Sequence, residues 1–279
     1  MTKALDDAAL LAAMTRITLE AGRIAASYFR SGATTSAAVE SKFGGSPVTE
    51  ADFAVDRFLR PALSALAPEA GWLSEETTDT DERLSRERLF IVDPIDGTRA
   101  FIKGDPRWAV SVALVESGRP RAAVLHLPAL DETYAAVSGG GATLNGAVIR
   151  ASARETLAGG RVAGPPKALE GLKQAGLSFE AMPRVPSLAY RLALVADARL
   201  DASLASTDSH DWDIAAADLL LHEAGARLST LDGRPPRYNA ALPRHGVLTA
   251  APQQLGEELI RALLQSSNNA KASHGKPSG

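Results

Sequence analysis

The sequence predicts an α/β fold of layered helices and sheets, and three observations carry that prediction. Two stretches near the start, about 6–30 and 50–66, space their apolar residues at helical intervals. The middle of the chain holds short apolar runs separated by turn residues. Beyond about residue 150, strand-like and helix-like segments alternate, the order that lays helices on sheets. A chain of 279 residues that is 45% hydrophobic can bury a large core, which excludes wholesale disorder.

In the first helix, Leu10, Met14, Ile17, Ala21, Ile24 and Tyr28 recur at three- and four-residue steps, and Gly32 ends it. Ser41 to Pro47 is a Gly/Ser/Pro loop. Thr49 then caps the second helix, which closes before Pro68. After the short run Gly71-Trp72-Leu73, the acidic stretch Glu75–Arg88 is expected as a mobile surface loop. Leu89–Val92 is expected as a buried strand that stops at Asp93-Pro94. Runs at 108–116 and 121–127, joined by Ser117-Gly118-Arg119-Pro120, predict a hairpin. Thr133–Val137 continues the meander, and Gly139-Gly140-Gly141 turns it. Strands are then expected near 161–163, 182–185, 201–204, 226–230 and 246–250, with helices at 166–175, 187–197, 212–224 and about 252–265. Residues 266–279 lack apolar periodicity and are expected as a disordered tail. The change in pattern places an N-terminal subdomain at 1–150 and a C-terminal one at 151–265.

Lys plus Arg is 30 against 33 for Asp plus Glu, a formal net charge of −3, which argues against a general binder of nucleic-acid polymers. With no cysteine there is no disulfide framework, thiolate zinc site, iron–sulfur cluster or cysteine nucleophile, a composition compatible with a reducing cytoplasm. No stretch approaches the roughly 20 apolar residues that span a bilayer. Asp6 and Asp7 stand where a signal peptide would continue into its apolar region, so the expectation is a cytoplasmic protein without a membrane partner.

The informative residues are acids at element ends. A buried strand delivers Asp93 to its carboxyl end, where open α/β sheets place ligands. Asp96 follows across a turn fixed by Pro94, Gly97 permits close approach of the backbone, and Thr98 begins a new helix whose first N–H groups favour an anion. Two carboxylates beside an anion-binding turn suit Mg²⁺ bridged to a phosphate; an ordinary Asp-Pro…Asp-Gly turn is the other reading. Ser74-Glu75-Glu76 is a second acid pair at an element's end, or the start of a solvated loop. His210-Asp211-Trp212-Asp213 opens an apolar helix, where Asp211 could equally serve as a cap. Thr49-Glu50-Ala51-Asp52 has capping-box spacing.

Taken together and in order, Gly45-Ser46-Pro47-Val48-Thr49-Glu50-Ala51-Asp52, Ser74-Glu75-Glu76, Val92-Asp93-Pro94-Ile95-Asp96-Gly97-Thr98 and Trp212-Asp213-Ile214-Ala215-Ala216 closely resemble the signatures of the inositol-monophosphatase superfamily, from the first helix to about residue 250. The resemblance implies a layered αβαβα sandwich and a Mg²⁺-dependent, lithium-sensitive phosphomonoesterase acting on a small phosphorylated metabolite. It further implies two or three Mg²⁺ per active site: the first on Glu75, Asp93 and the Ile95 carbonyl, the second on Asp93, Asp96 and Asp213, and a weaker third on Glu75. Glu75, Thr98 and Asp52 are then the catalytic set, with Thr98 and Asp52 orienting and deprotonating the attacking water. Asp96, Gly97 and Thr98 contact the substrate, the last two through backbone amides. A homodimer is a further expectation of the resemblance alone.

The substrate is less sharply marked. Animal-type inositol monophosphatases carry a Glu seven residues before the metal-binding Asp of the Trp-Asp element; this chain has Ser206 there, with Asp208 two residues on. Arg191 falls where bisphosphate nucleotidases carry a Lys, and it could clamp a second phosphate or simply sit ion-paired on its helix. The run Gly97-Thr98-Arg99-Ala100-Phe101-Ile102 looks more like bacterial nucleotidase or histidinol-phosphatase sequences, and Lys103 and Arg107 could add positive charge at the rim. The expectation is a 3′(2′),5′-bisphosphate nucleotidase or an inositol-1-phosphate phosphatase, with histidinol phosphate or another sugar phosphate as the alternative. A non-catalytic metal- and phosphate-binding homologue is the remote one.

Overall fold

The computed structural model describes residues 6–42 and 45–274. Residues 1–5, 43–44 and 275–279 lie outside the described residues, and with them the start of the chain, the centre of the expected 41–47 loop and the end of the expected tail.

Helix α1 (Asp7–Tyr28) is capped by Asp6, whose carboxylate accepts the Ala9 N–H at 2.7 Å. A short hairpin, β1 (Val39–Ser41) and β2 (Pro47–Thr49), leads into α2 (Glu50–Ser64), opened by the capping box that the Thr49/Asp52 spacing predicts. Strands β3 (Gly71–Ser74), β4 (Arg88–Asp96), β5 (Ala109–Glu116), β6 (Arg119–Leu127), β7 (Glu132–Val137), β8 (Gly141–Leu144) and β9 (Ala147–Val148) form a seven-stranded sheet in chain order, parallel only between β3 and β4. A five-residue helix, α3 (Thr98–Ile102), follows β4.

The second half contributes β10 (Gly160–Ala163), α4 (Pro166–Gln174), β11 (Phe179–Ala181), α5 (Leu188–Ala196), β12 (Ala202–Ala205), β13 (Ser209–His210), α6 (Asp211–Glu223), β14 (Arg227–Thr230), β15 (Arg244–His245), β16 (Leu248–Ala251) and α7 (Gln253–His274). Five of these strands make a mixed sheet in the order β11-β10-β12-β16-β14, while β13 and β15 pair separately.

Strand alternation explains the layering. In β4, Phe90 and Val92 face α1 and α2, while Leu89 and Ile91 face the opposite side. That opposite side packs on α5 and α6, which also bury Ala163, Ala205, Leu228 and Leu248 of the smaller sheet. Val162, Ala202, Leu204 and Ala251 point the other way, onto α4 and α7. Helices, large sheet, helices, small sheet and helices therefore stack in five layers, the αβαβα sandwich. Because β4 is covered on both faces, its residues Leu89–Val92 form a continuous apolar run.

Four expectations need correction. β4 does not stop at Asp93 but runs to Asp96, because its pairing with β5 resumes beyond an irregularity. The strand expected at 182–185 lies at 179–181, paired in parallel with β10. The 75–88 segment contains a 3₁₀ turn at Asp81–Ser85 and is anchored by Arg83, 3% exposed, which binds Asp79, Asn239 and the Ala240 carbonyl. Residues 266–274, expected as a disordered tail, continue α7; no Gly or Pro interrupts them, and extending a formed helix is far easier than nucleating one.

Candidate active site

The parallel register of β3 and β4 sets Ser74 opposite Val92, so the next residues, Glu75 and Asp93, emerge side by side at the carboxyl edge of the sheet. Beyond Asp93 the β4–β5 ladder shifts: Asp93 pairs with Ser111, but Asp96 pairs with Ala109. Three steps on β4 thus match two on β5, a bulge of one residue. The bulge inverts the alternation. Ile95 turns into the core beneath α1 and α2, and Asp96 comes round to the side of Asp93. Gly97 follows with φ +97°, and a Cβ there would meet the Arg107 carbonyl and Ser187 Cβ, both at 3.3 Å.

From the other side, the N-terminus of α6 supplies Asp213. Its carboxylate accepts the His210 N–H at 2.6 Å, closing a capping box, and the His210 ring stacks on Trp212. Asp211, one of the sequence candidates for a cap, is instead buried against His245 Nε2 (2.7 Å) and the Asn239 N–H (2.9 Å), which fix the first turn of the helix. Oxygens of Asp93, Asp96 and Asp213 lie within 4.8 Å of one another. Asp96 is held by Ser187 Oγ (2.5 Å) and the Ala189 N–H (2.7 Å) at the start of α5.

A second constellation adjoins the first. Asp52, 0% exposed, accepts the Thr49 N–H and hydroxyl through Oδ2 at 2.7 and 2.6 Å. Its other oxygen, Oδ1, is 3.4 Å from Thr98 Oγ1, which is also 3.1 Å from the Ile95 carbonyl. The single Thr98 proton is shared between these acceptors.

Glu75 lines the same pocket but stands outside the three-carboxylate group. It pairs with Lys42, whose Nζ is 2.8 Å from Glu75 and 2.6 Å from Glu76. Sequence reasoning missed Lys42 because only the fold brings the end of β1 to the end of β3.

The electrostatics show what the centre lacks. Burial, with repulsion from Glu75, Asp96 and Asp213, pushes the Asp93 carboxyl well above the usual range. Burial and Asp213 push Asp96 up to about 7 despite its hydrogen-bond donors, and burial pushes Asp52 up to about 6. Among the described residues, no Lys or Arg forms an ion pair with Asp93, Asp96 or Asp213; the nearest basic nitrogen recorded is His210 Nδ1, 3.8 Å from Asp213. Clustered oxygen donors with no Lys or Arg in direct contact are the ligand chemistry of a hard divalent ion.

A stability prediction follows. The folded protein retains protons on Asp52 and Asp96 that the unfolded chain releases in the ordinary carboxylate range. This contribution to stability is full at pH below that range and is lost as pH rises through about 6 to 7. In chelator, the melting temperature is expected to fall between pH 5 and 8, and excess Mg²⁺ should flatten that slope. A melting temperature that is constant or rises with pH in chelator would contradict the reading.

Three sequence candidates do not line the pocket: Arg191, Ser206 and Asp52, the last of which meets it through Thr98. Arg191 is held by neutral acceptors, Ser203 Oγ (3.2 Å), the Leu204 carbonyl (3.0 Å) and the Val185 carbonyl (3.4 Å), so its guanidinium locks α5 to β12. Ser206 is exposed between β12 and β13. Arg107, expected at the rim, is engaged by Asp105 and the Arg184 carbonyl. The pocket, about 200 Å³, is lined by Glu75, Asp93, Ile95, Asp96, Gly97, Thr98 and Asp213, together with Ser46, Pro47, Pro186 and two arginines the sequence reading passed over, Arg99 and Arg184.

The chain is similar to known proteins along most of its length. Residues 6–268 match the inositol monophosphatase family. An inositol-1-monophosphatase of Mesorhizobium japonicum is 35% identical over 81% of this chain and 86% of its own length. The 3′(2′),5′-bisphosphate nucleotidase CysQ of Aggregatibacter actinomycetemcomitans is 33% identical over 73% of this chain and 79% of its own. Among solved structures, the extragenic suppressor protein suhB of Bartonella henselae superposes with a TM-score of 0.79 at 29% identity, over 91% of this chain and 98% of its own.

Proposed function

The chain belongs to the inositol monophosphatase family, phosphatases acting on phosphomonoesters, and from that premise we propose that it uses Mg²⁺ to hydrolyse a 3′(2′),5′-bisphosphate nucleotide or inositol 1-phosphate. The observation that carries the reading is the convergence of Asp93, Asp96 and Asp213 within 4.8 Å, beside the Thr98–Asp52 pair.

Asp93, Asp96 and Asp213 would hold the metal, with the Ile95 carbonyl and Glu75 as further oxygen donors in the same pocket. Mg²⁺, when bound, offsets phosphate charge and acidifies water. The residues supply position and a proton acceptor. Gly97 and Thr98 set the backbone at the turn for the phosphate. The Thr98 hydroxyl orients the attacking water, and its hydrogen bond to Asp52 passes the water proton to Oδ1. A carboxyl with a pKa of about 6 suits a base working near neutral pH. Homodimeric assembly, a cytoplasmic location and inhibition by Li⁺ belong to the same proposal; in support of the location, no helix among the described residues is long and apolar enough to cross a membrane.

The test is phosphate release from adenosine 3′,5′-bisphosphate and inositol 1-phosphate. Turnover of at least one is expected with Mg²⁺ and none in chelator. Turnover that persists in chelator removes the metal from the reaction.

A further inference from the structure

The residues given roles in hydrolysis leave five others lining the pocket: Ser46, Pro47, Arg99, Arg184 and Pro186. The only ionisable ones are the two arginines. Both are exposed, and neither guanidinium makes a hydrogen bond or an ion pair among the described residues, although four carboxylates line the same pocket. Where the chain sets an arginine to neutralise a carboxylate the contact is direct, as at Arg88–Glu116, Arg107–Asp105 and Arg199–Glu132. These two are therefore not serving to neutralise the acidic centre.

Their backbones are well fixed. Arg99 lies in the first turn of α3, directly after Thr98. The Arg184 carbonyl accepts Arg107 Nη1 at 3.0 Å, and three residues on, Ser187 Oγ donates to Asp96 at 2.5 Å. Arg184 is thus tied to a carboxylate of the reaction centre while its guanidinium stays open.

We infer that Arg99 and Arg184 form a charge filter that grips a second phosphate on the remainder of the ester, so that the enzyme selects esters with an anionic remainder over neutral or cationic ones. This rests on the phosphatase reading above and narrows it. A guanidinium presents paired N–H donors that match phosphate oxygens, and an uncommitted one gives up no existing partner when it binds. The assignment replaces Arg191, which lies outside the pocket lining with three of its five N–H donors already taken by Ser203, Val185 and Leu204. An inositol phosphate offers these residues only hydroxyls, and histidinol phosphate brings an ammonium that they repel.

A matched pair of substrates tests it: adenosine 3′,5′-bisphosphate and adenosine 3′-monophosphate, which share the 3′ ester and differ in the second phosphate. With saturating Mg²⁺, kcat/KM is expected to favour the bisphosphate by about tenfold or more. The preference should shrink with added salt. In an Arg99→Ala/Arg184→Ala double variant the ratio should fall to about one, and Lys at both positions should restore part of it. A wild-type ratio near one overturns the filter, as does a double variant that slows both esters equally. Wild-type protein that hydrolyses no phosphomonoester with Mg²⁺ instead overturns the underlying phosphatase reading, and the filter falls with it.

Discussion

Asp93→Asn is expected to abolish phosphatase turnover and, in the metal-free protein, to raise the melting temperature. Both effects come from one charge. Asp93 is 1% exposed, and the one hydrogen bond recorded for its carboxylate comes from the Ile95 N–H at 3.0 Å. Burial and four neighbouring carboxylates, Glu75, Asp96, Asp213 and Asp52, oppose its ionisation. Asparagine has nearly the same shape and keeps an oxygen for Ile95, but it carries no charge. A divalent ion held at this centre would then lose its most buried carboxylate. Since electrostatic stabilisation by a metal contributes several kcal/mol, turnover should fall by about 10³-fold or more.

The stability change has the opposite sign, because a repulsive group has been removed from a folded cluster. Each kcal/mol of relief corresponds to roughly 2–4 °C in a protein somewhat smaller than this one. Calorimetry in chelator and in excess Mg²⁺ checks the pairing of effects. Mg²⁺ should raise the melting temperature of wild type and have little effect on the variant. An inactive variant that melts below wild type in chelator would mean that Asp93 holds the fold together rather than the ion.

The two-sidedness of that result marks what the sequence could and could not convey. Asp93 and Asp96 were legible because Pro94 and Gly97 punctuate the turn, and strand ends are where ligands gather. That the two acids share a side was not legible, since simple alternation pairs residues 93 and 95; the bulge that corrects it depends on the partner strand. Glu75 beside Asp93 likewise required the parallel β3–β4 register, a pairing between distant segments. The resemblance to bisphosphate nucleotidases placed Arg191 on a helix, as α5 bears out, but it says nothing about where a long side chain ends. The β12 backbone, brought in by the smaller sheet, takes that guanidinium away from the pocket. Arg184 carried no motif and sat where a strand was expected; only its docked backbone gives it meaning. The pairing of β13 with β15 spans two residues on each strand, too short for any alternation to register.

Asp52→Asn should lower kcat by about 10²–10⁴-fold with little change in KM. The argument turns on the separate work of the two carboxylate oxygens. Oδ2 accepts the Thr49 N–H and hydroxyl and so completes the cap of α2. An asparagine carbonyl can accept both, which preserves the helix. The other position becomes an NH₂ facing Thr98 Oγ1, a donor where the hydroxyl needs an acceptor. Thr98 is then left with the Ile95 carbonyl alone, and the water proton has no base to reach. In wild type the rate should rise as Asp52 ionises, with a midpoint of about 6, or lower once nearby cations are bound. That acid limb should vanish in the variant. Thr98→Val should produce a comparable loss, and on the proposed relay the double variant should be little slower than either single one. Losses that instead multiply would show that Asp52 and Thr98 act separately, with Asp52 confined to capping α2 and another group taking the proton.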